Sequence, residues 1–149
     1  MQHSFFTLRA LLVLSLLALL GAKPPEPGRL EQTLRRHHWQ KRVLLVAAPT
    51  PDHPDFKEQK ALLASQQSGL ATRDFLVLEV VYPQLSEADK QVLTQKMGIK
   101  PRQFAAVLIG KDGGVKLKST RPIAPATLFG TVDRMPMRRQ EMRRGAEEH

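Results

Sequence analysis

Between Pro49 and Asp55 the chain reads Pro-Thr-Pro-Asp-His-Pro-Asp, which places one hydroxyl, one imidazole and two carboxylates in a single short segment. Thr50 could donate a hydrogen bond, His53 could exchange protons near neutral pH, and Asp52 or Asp55 could orient its ring. An acid-base or hydroxyl-nucleophile enzyme also needs a third oriented group, and spacing alone assigns none. The same residues have a simpler reading, in which Thr50 or Asp52 caps a following helix, the prolines stiffen the turn and His53 is solvated. The chain has no cysteine. Thiolates attack sulfur and peroxide, whereas hydroxyls stay protonated and poorly nucleophilic, so thiol-peroxidase and disulfide-exchange chemistry are excluded.

Metal binding is the next chemistry to weigh. His37, His38, His53, Asp52 and Asp55 are suitable ligands, and Met135, Met137 and Met142 offer soft sulfur to Cu(I). Neither set has a diagnostic spacing, adjacent histidines point in different directions, and thioethers among apolar residues commonly fill core gaps. We expect no metal and no cofactor. The chain carries no P-loop, paired-glycine phosphate fingerprint or metalloprotease motif.

Positive charge is the stronger signal, with 23 Lys and Arg against 14 Asp and Glu, a formal net charge of +9. Arg35, Arg36, Lys41 and Arg42 cluster early, Lys111, Lys116 and Lys118 follow a glycine-rich turn, and Arg134, Arg138, Arg139, Arg143 and Arg144 fill the tail. If turn and tail meet, Lys111, Lys116, Lys118, Arg134, Arg138 and Arg139 form a binding face for acidic polysaccharide, anionic lipid head groups or another polyanion. One Tyr and one Trp leave few stacking platforms, which counts against nucleic acid. The plain alternative is a solubilising face partly neutralised by Glu141, Glu147 and Glu148. Arg138 and Arg139 have a second reading as donors to the last carbonyls of the preceding helix.

The elements that must position these residues follow from the apolar pattern. Val43 to Ala48, Phe75 to Val81 (interrupted by Glu79) and Phe104 to Ile109 are continuous apolar runs, suited to strands buried on both faces. Between them lie helical segments: Pro54 to Ser68, with Phe56, Leu62 and Leu63 on one side and Gly69 placed to end it, and Ser86 to Met97, opened by a capping box at Ser86-Glu87-Ala88-Asp89 and closed by Gly98. This alternation predicts parallel pairing through right-handed crossovers. Asp112-Gly113 then marks a hairpin into Val115 to Leu117, where Val115 and Leu117 alternate with Lys116 and Lys118 to leave one solvated face. Pro125 opens a helix carrying Leu128, Phe129 and Val132, and Pro136 starts another through Arg144. Leu30 and Leu34 mark a short amphipathic helix before the first strand.

The expected order is β-α-β-α-β-β-α, an α/β fold with a mixed sheet and a terminal helix. Ahead of it, residues 1–22 read as a signal peptide, with basic Arg9, an apolar run from Ala10 to Leu20 and a cleavage site after Ala22. Residues 23–29 read as a proline-rich linker and 30–149 as one domain. The mature chain would be exported, periplasmic or secreted, with no transmembrane helix.

That order is the thioredoxin-like core. Arg42-Val-Leu-Leu-Val-Ala-Ala-Pro49, Gly110-Lys-Asp-Gly-Gly-Val-Lys-Leu117 and Met135-Pro-Met-Arg-Arg-Gln-Glu-Met142 resemble a family of uncharacterised peroxiredoxin-like domains that also end the sushi-repeat proteins of the animal extracellular matrix; the chain is similar to its short bacterial exported members. The resemblance covers roughly residues 38 to 144 and implies a thioredoxin-like fold, export and a role without an established reaction. It supplies no catalytic residues. The Pro49 to Asp55 segment stands where redox members of the fold carry their cysteine, and Ala105 stands where they commonly hold a proline. The expectation is a non-catalytic module for an anionic or protein partner, with a cysteine-independent enzyme using Thr50, Asp52, His53 and Asp55 as the alternative.

Overall fold

The computed structural model describes residues 28–147. The leader expected over 1–22 and most of the linker lie outside the described residues. The chain runs α1 (Arg29–His37), β1 (Arg42–Ala48), α2 (Pro54–Ala64), α3 (Gln67–Ala71), β2 (Phe75–Val81), α4 (Glu87–Gln91), β3 (Ala105–Ile109), β4 (Val115–Ser119), α5 (Pro125–Asp133) and α6 (Pro136–Glu147). The strands form one sheet in the order β2-β1-β3-β4. This is the expected α/β class with a mixed sheet and a terminal helix, and the helix expected from Leu30 and Leu34 precedes β1.

β1 is buried at all seven positions because both sheet faces are covered. Leu44, Val46 and Ala48 face a cluster with Phe56, Leu63, Leu128 and Val132. Val43, Leu45 and Ala47 face Leu30, Leu93, Met97 and Ile99 on the other side. The six apolar positions of β1 thus feed two cores in strict alternation. β2 is an edge strand and only half-buried, and the signal was Glu79, which is exposed and pairs with Lys60 at 2.9 Å.

The third strand corrects the expectation of parallel pairing. β1 and β2 are parallel, but β3 runs antiparallel to β1, with Ala105 opposite Ala47 and Ile109 opposite Val43. The chain leaves β2 at the carboxyl end of β1 and β2, and β3 begins at that same end. α4 continues as a wide turn over Val92–Lys96, the Ile99 N–H bonds the Leu93 carbonyl at 2.9 Å, and Gly98 takes a φ of 63°, which delivers β3 at the end where β2 stopped. Alternation of helix and strand is the same for both directions, so the pattern does not separate them.

Two boundaries also differ. The segment expected to end at Gly69 breaks after Ala64 and resumes as α3, with Gly69 inside it. A Cβ there would stand 2.7 Å from the Phe129 ring, so glycine serves packing rather than helix termination. β4 carries a bulge: Ile109 pairs with Val115 and Leu108 with Leu117, leaving Lys116 as the extra residue.

Candidate functional site

Arg42, the first residue of β1, is 1% exposed. Its guanidinium donates to the Arg73 carbonyl at 3.0 Å and to both oxygens of Glu141 at 3.1 Å each. Its Nε is buried with no partner among the described residues. Glu141 also accepts from Lys111 at 2.7 Å and from Arg138 at 3.5 Å. Lys111 in turn reaches Asp74 at 2.8 Å, Arg138 reaches Asp133 at 3.4 Å, and Arg73 closes the chain of ion pairs with a bidentate grip on Asp133 at 2.9 and 2.7 Å. Four segments far apart in sequence are thereby held at the amino-terminal end of β1. Burial pushes the Glu141 carboxyl up, and hydrogen bonds from Arg42 and Lys111 outweigh it, holding the group below its ordinary value. Asp133 is held low chiefly by its hydrogen bond from Arg73.

Turn and tail do meet, but not with every predicted cation free. Lys111 and Arg138 are largely buried within the ion-pair cluster. Lys116 pairs with Asp112 at 2.6 Å. The bulge turns Lys116 toward α5 and α6, where it lines a cavity of about 360 Å³ with Arg42, Lys111, Arg134, Met135 and Met137. Lys118 lies on the opposite face, its Nζ donating to the Met97 and Gly98 carbonyls at 3.2 and 3.4 Å. Arg134 and Arg139 are exposed.

The Pro49 to Asp55 segment sits at the other end of β1. Thr50 and Asp52 are exposed and Asp55 is half-buried. Asp52 pairs with Lys57 at 3.1 Å. His53, not Thr50 or Asp52, stands at the N-cap of α2. It is half-buried rather than solvated, its ring 6.1 Å from that of Phe104 and nearly parallel to it, with Nδ1 buried and unpartnered among the described residues. No described carboxylate bonds its Nδ1. Among the described residues no group of three or more His, Asp or Glu converges as a metal site.

Sequence reasoning treated Glu141 as one of several neutralising acids and passed over Arg73, Asp74 and Asp133. Only the Arg138 to Glu141 spacing on one helix was a local signal; Arg42 and Glu141 lie 99 positions apart.

Residues 33–141 match the profile of a family described as a domain of unknown function, DUF4174. The chain belongs to this family. The three segments that carried the resemblance supply Arg42, Lys111, Arg138 and Glu141, so what looked like separate motifs of a DUF4174 domain is one ion-pair cluster. Relatives include coiled-coil domain-containing protein 80 of Danio rerio, 28% identical over 80% of this chain and 17% of that protein. Sushi repeat-containing protein SRPX2 of Rattus norvegicus is 28% identical over 77% of this chain and 27% of its own, and SRPX of Homo sapiens is 27% identical over 73% and 26%. The chain therefore spans about a quarter or less of the length of these relatives. Among solved structures it is similar to Plasmodium yoelii thioredoxin peroxidase I, with 18% identity, a TM-score of 0.43 and coverage of 77% of this chain and 79% of that one.

Proposed function

We propose that this DUF4174 protein is an exported, non-catalytic binding module whose anionic partner docks on the face formed by the β3–β4 hairpin, the end of α5 and the start of α6. One observation carries the reading: Lys116 and Arg134 line a common cavity with Arg42 and Lys111, and Arg134 and the nearby Arg139 are exposed with no acidic partner among the described residues. Positive charge concentrated on a concave surface attracts polyanions, and Arg134 and Arg139 supply its unpaired part, since Arg42, Lys111 and Lys116 each pair with a carboxylate. Lys111 and Arg138 hold that surface together rather than touching the partner. Export rests on the basic start and apolar run ahead of Ala22.

The test is retention on a sulfated-polysaccharide matrix across a salt gradient. Arg134→Glu with Arg139→Glu should elute at clearly lower salt while melting as the parent does, because both side chains are exposed. Equal retention of the two proteins would sink the proposal.

A further inference from the structure

A second cavity, of about 400 Å³, opens on the opposite face of the sheet between α1, the turn after α4 and the hairpin. Its floor is apolar, made by Leu34, Val92, Met97, Ile109 and Val115. Val115 is among the few large apolar side chains that the described residues leave exposed, and it is there because the bulge shifts it to pair with Ile109. The rim is basic: Arg35, His37, His38, Lys41 and Lys96 line it with one acid, Glu31, which is already bonded to both Arg35 and Lys96 at 2.8 Å. Nδ1 of His37 is buried beside this cavity without a hydrogen-bond partner among the described residues. At the end of α1 the Arg35 carbonyl takes the His38 N–H and the His37 carbonyl takes those of Gln40 and Lys41.

The turn that carries these histidines is strained. Trp39 has a φ of 65°, a conformation that a bulky side chain rarely adopts. It is held there by its N–H to the Lys111 carbonyl at 2.7 Å, with the His38 ring 4.8 Å from its own. Strain of this kind is retained where the surroundings enforce it, and it concentrates at binding sites. An apolar floor with a few polar groups at its edge is the usual build of a small-molecule site.

We propose that this cavity binds a small amphiphile with an apolar body and a single anionic head, the body on Val115, Met97 and Ile109 and the head at His37, Lys41 and Lys96. This site is separate from the polyanion face. The chain's one tryptophan, Trp39, stands beside His38 and reports on it.

The experiment titrates the full chain with decanoate, decanol and acetate, read by Trp39 fluorescence and by amide shifts. Decanoate should saturate and shift Val115, Met97 and His37, with decanol and acetate each at least about tenfold weaker. Val115→Asp, at an exposed strand position, should weaken decanoate by about tenfold or more, and Lys96→Gln, at an exposed lysine already shared with Glu31, by a smaller factor. Arg134→Glu with Arg139→Glu should bind decanoate as the parent does, which separates this site from the polyanion face. Failure of decanoate to saturate, equal binding of decanol, or unaltered affinity in both Val115→Asp and Lys96→Gln would each overturn the proposal.

Discussion

Arg42 opens a strand that is otherwise apolar, and Glu141 is what makes a charge tolerable there. Two ions removed from water gain little over an apolar pair, but deleting one partner leaves the other buried and uncompensated. Glu141 is itself 24% exposed, so Glu141→Gln should lower stability by about 2 to 3 kcal/mol, under the cost for a fully buried pair, as read from denaturant unfolding. The pH dependence follows from the same contacts. Glu141 and Asp133 are both held below their ordinary values. Such groups contribute stability that is complete above the unfolded pKa, about 4, and is lost as pH falls through the folded value. Stability should therefore decline below about pH 4, and Glu141→Gln should decline less steeply in that range. An unchanged acid limb would show that Glu141 does not titrate as argued.

At the scale of elements, Asp89 joins two helices. Ser86 Oγ accepts the Asp89 N–H at 3.1 Å and donates back to its carboxylate at 2.9 Å, capping α4. The other carboxylate oxygen accepts the Leu30 N–H at 2.9 Å, capping α1, and a Cβ at Gly28 would lie only 2.0 Å from it. Ser86→Ala should cost about 1 kcal/mol, the usual value of one cap. Asp89→Ala removes the α1 cap and the acceptor of the Ser86 hydroxyl from a buried position, while the Asp89 N–H can still reach Ser86 Oγ, and should cost about 2 to 3 kcal/mol, with amide exchange rising most in α1 and to a smaller degree in α4. Exchange confined to α4 would refute the double role. The Ser86 to Asp89 half was legible because its partners are three residues apart; the Leu30 half spans 59 positions and has no local signature. The bulge in β4 was equally hidden, since Val115 to Lys118 reads as plain alternation, and it is the bulge that sends Lys116 and Lys118 to opposite faces.

For the molecule as a whole, α6 buries none of its side chains completely, yet it closes the ion-pair cluster through Arg138 and Glu141. Truncation after Met135 should accordingly cost about as much as Glu141→Gln, within roughly 1 kcal/mol. A much larger loss would mean that α6 stabilises the domain by packing rather than by charge.

The sequence alone determined whatever depends on neighbours and on composition: the strand runs, the capping box, the Asp-Gly hairpin, the absence of thiol chemistry and the excess of positive charge. Its order of elements was enough to reach the thioredoxin-like core. Tertiary structure alone decided the direction of β3, because a crossover and a return look alike in an apolar pattern. It also decided which cations are spent on structure. Lys111 and Arg138 resemble Arg134 and Arg139 in sequence, and what separates the buried, paired charges from those left facing water is the approach of Asp74 and Glu141 to Lys111 from distant segments and the turn between α5 and α6 that sets Arg138 between Asp133 and Glu141.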